Sequence, residues 1–180
     1  MEIGVVSGDI SRQGGADRVV LQTVSGEINL RYASGRLRLK SVSGDIESFN
    51  TTGSGTCGTV SGDMFIENGA EELKVESVSS DIGILKADFS TITGHSVSVD
   101  IDIRGAFQKG GLIEFDNVSG TIRLTLAEGV DSRFEVETGS GNIRNRMTDD
   151  EPRVSKYVRD ERLDFIIGKG EGEIILSTRA

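Results

Sequence analysis

The chain has no tryptophan, and only one cysteine, one proline and one histidine among 180 residues. A single cysteine, Cys57, excludes an intramolecular disulfide. With His95 as the only other soft donor, the usual structural zinc sets are excluded too. One proline, Pro152, set against 24 glycines is unlike collagen or a Pro-rich disordered segment. No apolar run approaches the roughly 18 residues that a spanning helix needs. The opening MEIGVVSGDI lacks a basic stretch followed by an apolar one, so it does not read as a signal peptide. Positive charge is scarce: 20 Lys and Arg face 29 Asp and Glu, for a net charge of −9 and a pI near 4.7. Phosphate backbones and anionic lipid surfaces repel such a chain on average. Nucleic acid and direct membrane insertion are therefore not expected.

What is abundant is a repeat. Val6-Ser7-Gly8-Asp9-Ile10 recurs as Val24-Ser25-Gly26-Glu27-Ile28, Val42-Ser43-Gly44-Asp45-Ile46, Val60-Ser61-Gly62-Asp63-Met64 and Val78-Ser79-Ser80-Asp81-Ile82, each copy 18 residues after the last. Val97-Ser98-Val99-Asp100-Ile101, Val118-Ser119-Gly120-Thr121-Ile122 and Gly139-Ser140-Gly141-Asn142-Ile143 follow at wider spacing. Between copies, stretches such as DMFIE, LKVESV and TIRLTL alternate apolar with polar residues, the period of a strand. No long stretch carries a capped helical stripe.

Two short strands and two bends per 18 residues describe an all-β, right-handed parallel β-solenoid, flattened and two-sided. Gly8, Gly26, Gly35, Gly44, Gly62, Gly120 and Gly141 are expected at the bends, where positive φ is easiest for glycine. Gly44 and Gly62 should share that conformation. Val before each bend and Ile after it should both point inward. Roughly eight or nine coils would make a body on the order of 40 Å long. The whole of 1–180 reads as one domain. Residues 145–162 carry the proline and no repeat, and read as a loop or capping excursion. The final residues resume with strands around Gly168, Gly170 and Gly172.

The repeated VSGDI units at this spacing resemble a bacterial domain family described as adhesins and otherwise unassigned in function. The resemblance covers most of residues 3–143 and again 163–178. It implies a right-handed β-solenoid, commonly in proteins held at the cell envelope, and it brings no catalytic residues. This chain departs from the usual pattern in having no signal or anchor within it. An envelope or extracytoplasmic location is expected if one lies outside the chain, and a cytoplasmic one otherwise.

Candidate chemistry is sparse. Gly53-Ser54-Gly55-Thr56-Cys57-Gly58 matches G-x-G-x-x-G, but a dinucleotide needs a helix to follow, and TVSGDMFI reads as a strand. His95 lies 38 residues from Cys57, about two coils, so the pair could approach within roughly 10 Å. A surface turn histidine and a core cysteine are the plainer reading. Carbohydrate cleavage on a solenoid remains an alternative, weakened by the lack of tryptophan platforms. Asp9, Glu27, Asp45, Asp63 and Asp81 form a carboxylate ladder with neighbours about 5 Å apart, each pair repelling by about 1 kcal/mol in water. Bonding to turn amides explains it; binding of cations such as Ca²⁺ is the sharper alternative.

These features favour a non-enzymatic, adhesin-like envelope module that binds a protein, peptide or glycan, with no cofactor. A self-assembling β-helical scaffold is the alternative. Ile3, Val5 and Ile10 stand in the first coil with no coil before them in this chain. A monomer, or a weak homodimer through the N-terminal coil, is expected.

Overall fold

The computed structural model describes residues 1–15, 17–155 and 160–179; at residue 87 it describes the backbone alone. Those residues form fourteen strands and no helix. One wall is built from β1 (Glu2–Ser7), β3 (Arg18–Ser25), β5 (Ser34–Ser43) and β7 (Thr52–Ser61), and continues into β9 (Glu72–Ser119), which runs on through several bends. The opposite wall holds β2 (Ile10–Gln13), β4 (Ile28–Arg31), β6 (Ile46–Phe49) and β8 (Met64–Glu67), which pairs with Ile82–Leu85 of β9. Every pairing in this region is parallel and steps by 18 residues: Leu21 lies beside Leu39 and Leu39 beside Cys57, Ile28 beside Ile46 and Ile46 beside Met64. The molecule is a β-solenoid of about seven turns.

Alternation fills the interior. Leu21, Leu39 and Val75 come from one wall, and Ile28, Leu30, Ile46, Ile66, Ile82 and Ile84 from the other, all essentially inaccessible. Each such side chain contributes about 1.5–3 kcal/mol by leaving water. The valines before the bend do not join them. Val6, Val24, Val42, Val60, Val78, Val97 and Val118 are 41–75 % exposed. Thr23, Ser41, Thr59, Ser77 and Ser96, one position earlier, point inward instead. The Ser-Gly-Asp bend between two walls shifts the alternation, so Val and the following Ile face opposite ways although four residues separate them.

The bends need glycine for closeness as well as for φ. Gly8, Gly26, Gly62 and Gly120 have positive φ, Gly62 at +138°, while Gly44 is not in the left-handed region. A Cβ on Gly26, Gly44 or Gly62 would collide with the carbonyl oxygen of the bend glycine one coil earlier, at 2.5 Å in the case of Gly62. Stacked backbones thus leave no room for a side chain. The second bend is not marked by Gly35 alone. Gly14, Tyr32, Asn50, Asn68 and Lys86, at 18-residue steps, all take positive φ, as do Asp17, Gly35 and Gly53 three residues later. Asn68 Nδ2 donates to Asn50 Oδ1 at 2.9 Å, tying two of these corners together.

Beyond residue 119 the simple winding ends. β10 (Ile122–Leu126) stacks parallel on residues 101–105 of β9, a 21-residue step. On the other wall, residues 112–117 of β9 pair not with β11 (Ser132–Thr138) but with β14 (Gly172–Thr178), which lies between them. β13 (Glu161–Ile167) flanks β11 on its far side, antiparallel, and β12 (Arg153–Val154) lies antiparallel along β13. The expected eight or nine parallel coils are therefore corrected: the late segment closes as a mixed sheet, with the Phe134 and Phe165 rings stacked at 4.3 Å. The turn from β13 to β14 is clasped by Asp131, whose Oδ1 accepts from the amides of Lys169, Gly170 and Glu171 at 2.7, 2.7 and 3.3 Å. Within the expected excursion at 145–162, residues 153–154 and 161–162 are strand, and 156–159 lie outside the described residues.

Candidate functional site

The exposed valines make one continuous feature. Seven of them stand in register along one edge of a wall, a stripe about 29 Å long at the usual strand spacing. Parallel to it, two residues earlier in each coil, runs the column Gly4, Gln22, Lys40, Gly58, Glu76, His95 and Asp116. Six of the valines, Val6 to Val97, line an open groove of about 840 Å³ together with this column from Gly4 to His95. Gly58 breaks that column at its middle: a Cβ there would touch only Glu76, at 3.6 Å. Glu76 Oε1 accepts from Lys74 Nζ at 2.8 Å, and this bond, with the nearby charges of Lys74, Lys40 and His95, holds its carboxyl below the ordinary range despite partial burial. Among the described residues, Lys40 makes no ion pair.

On the other side of the stripe come the exposed serines and then the carboxylates. The ladder residues bond along the solenoid axis. Asp9 Oδ1 accepts from the Glu27 amide at 2.9 Å, Asp45 Oδ1 from the Asp63 amide at 2.8 Å, and Asp63 Oδ1 from the Asp81 amide at 2.9 Å. Asp100 repeats the pattern with the Thr121 amide at 2.7 Å. Each of these four carboxylates thus reaches the next coil's bend rather than its own. Among the described residues, no group of three or more His, Cys, Asp or Glu is placed to hold a metal ion.

The remaining candidates are separated by the fold. Cys57 points into the core, 3 % exposed, and burial pushes its thiol up to about 12. His95 is outward and exposed, in the groove column. They lie on opposite sides of one sheet and cannot act as a pair. Gly53, Gly55 and Gly58 all fall within β7, with strand β8 following. The opposite wall carries a smaller outward cluster: the Arg31 guanidinium sits 4.6 Å over the Phe49 ring, itself 5.8 Å from Phe65. The stripe went unread in the sequence because valine in a strand pattern is taken as core. Its signal was the hydroxyl residue that precedes each copy from Thr23 to Ser96.

The stacked coils, the polar, glycine-tight bend and the apolar stripe define a β-solenoid repeat domain. The family model described as Toastrack DUF4097 matches residues 1–162, and the chain belongs to that family, a domain of unknown function. β14, the strand inserted beside β9, lies beyond the matched residues. No curated protein and no solved structure matches the chain.

Proposed function

We propose that this chain is a non-enzymatic binding module of the cell envelope, adhesin-like in holding a macromolecule rather than transforming it. The observation that carries the reading is the valine stripe. A solenoid rigid enough to keep seven half-exposed apolar side chains in one line offers a preorganised docking edge, so little conformational entropy is lost when a partner settles on it. Contiguous apolar surface of this extent, rimmed by Lys40, Glu76 and the serine column, has the make-up of an interaction site.

The test is site-directed photo-crosslinking in cells. Benzoylphenylalanine replaces Val42 or Val78 on the stripe, and Ser11 or Thr125 on the opposite wall. The reading expects discrete adducts from the stripe positions and none from the controls. Equal labelling of both walls, or none from the stripe, would refute it.

A further inference from the structure

We propose that the occupant of the stripe is a second copy of this chain, packed antiparallel about a two-fold axis that passes through Val60 and Gly58. The inference rests on the binding role given to the stripe and adds the identity of the partner.

The argument is one of self-complementarity. A two-fold axis lying in the plane of the wall, across the solenoid, sets each coil of one copy against the coil equally far beyond the centre in the other. Each outward column then faces itself in reverse order. The valine column has seven members with Val60 in the middle. Val60 meets its own mate, Val42 meets Val78 of the second copy, and Val24 meets Val97 of the second copy.

The neighbouring column obeys the same centre. Lys40 pairs in register with Gly58 and Gly58 with Glu76. Reversal about Gly58 therefore sets Lys40 against Glu76 of the second copy, twice over, with the two Gly58 residues back to back. A glycine at the axis allows the walls to come closest where a side chain would hold them apart. Two columns further in, Arg36, Ser54 and Glu72 share a register row, and the same reversal opposes Arg36 to Glu72 of the second copy. The column between them opposes Arg38 to Lys74, a like-charged pair, but Lys74 is already bonded to its own Glu76. The contact is thus centred on the valine and Gly58 columns.

The four outward columns from the valines to that of Arg36 span about 20 Å at about 3.3 Å per residue, so a patch about 29 Å long offers up to about 600 Å² a side, the lower end for specific interfaces. A dimer with Kd in the micromolar range is expected.

The alternative axis, along the solenoid, would set every valine against its own equivalent and Lys40 against the serine column. Cysteine substitutions separate the two arrangements, because Cys57 is buried and does not interfere. Under mild oxidation Val60→Cys should cross-link to itself. Val24→Cys should not, and the double variant Val24→Cys, Val97→Cys should. Sedimentation of the unmodified chain should show a reversible dimer. Lys40→Glu should weaken it at least tenfold, and Lys40→Glu with Glu76→Lys should restore it. Gly58→Arg, which the fold has room for, should give a folded monomer, and Thr125→Lys on the opposite wall should leave the dimer intact.

A chain that stays monomeric at several hundred micromolar, self-cross-linking by Val24→Cys alone, or failure of the double charge reversal would each overturn the proposal. If the chain is monomeric and the stripe still yields adducts with another protein, the binding role survives and the second copy does not.

Discussion

From Val24 to Val97 the residue before each exposed valine of the stripe is a buried hydroxyl residue, and three of these hydroxyls lack a partner. Thr23 Oγ1, Ser41 Oγ and Thr59 Oγ1 are fully covered and make no hydrogen bond, whereas Ser77 bonds to Ser80 at 2.5 Å and Ser96 to Asn117 at 2.9 Å. A covered hydroxyl without a partner costs about 1–3 kcal/mol. Thr59→Val keeps the shape and removes the polar atom, so it should raise stability by about 1 kcal/mol, read as a higher urea midpoint at unchanged slope. No gain, or a loss, would mean that internal water satisfies this column. These inward hydroxyls also explain the one systematic error of the sequence reading. Period-two alternation assigns Val24 and Ile28 to one face, and holds only while the strand runs straight. The three-residue bend after Val24 turns the chain onto the other wall and resets which parity points inward.

Among the elements, the repeating strands were legible and the corners were not. Five copies at a constant 18-residue step specify parallel stacking, and the pairings from β1 to β9 follow that step. The second corner was legible only at Gly35, because its other left-handed column holds Gly14, Tyr32, Asn50, Asn68 and Lys86, five positions with four residue types. Besides Gly14, only the two asparagines are easy in that conformation. The first corner tests the claim that glycine is there for closeness. Gly62→Ala brings a methyl group onto the Gly44 carbonyl and retains a strained φ, so it should cost about 2–3 kcal/mol. Gly58→Ala, four residues away with open space above it, should change stability by less than about 1 kcal/mol. Thermal or urea unfolding of the two variants checks both. Equal effects would mean that glycine content, and not inter-coil contact, governs the bends.

At the scale of the whole molecule, the solenoid has two different ends. Among the described residues β1 pairs only with β3, while the far end is woven shut by β11, β13 and β14. Asp131 clasps the turn that makes this weave possible. Partial burial works to raise its pKa, and the amides of Glu171, Lys169 and Gly170, with Lys109 nearby, outweigh that and lower it. A depressed carboxyl contributes stability above its unfolded pKa and loses it as pH falls through the folded value. The clasp should therefore hold at neutral pH and weaken progressively once pH falls below the ordinary carboxyl range of about 4. Hydrogen exchange at residues 169–171 should accelerate relative to the first coils as pH drops through that range, after correction for intrinsic rates. Asp131→Ala should show the fast behaviour at every pH. Uniform protection across the pH series would remove Asp131 from this role. The two strands around Gly168, Gly170 and Gly172 were legible in the sequence, but their partners were not, because the pairing of residues 112–117 with 173–178 spans some sixty residues and leaves no trace in a local repeat.

The place of β14 between β9 and β11 also fixes a timetable. Residue 132 pairs with residue 172, so β11 leaves the ribosome forty residues before the strand it must lean on. The earlier coils can add one at a time as they emerge, since each needs only its predecessor. β11 cannot, because the row beside β9 is reserved for a strand not yet made. The last third of the sheet therefore assembles out of the order of synthesis, with an apolar strand waiting in the open. That interval, rather than the growth of the solenoid, is when a nascent chain of this protein is most exposed to misassembly.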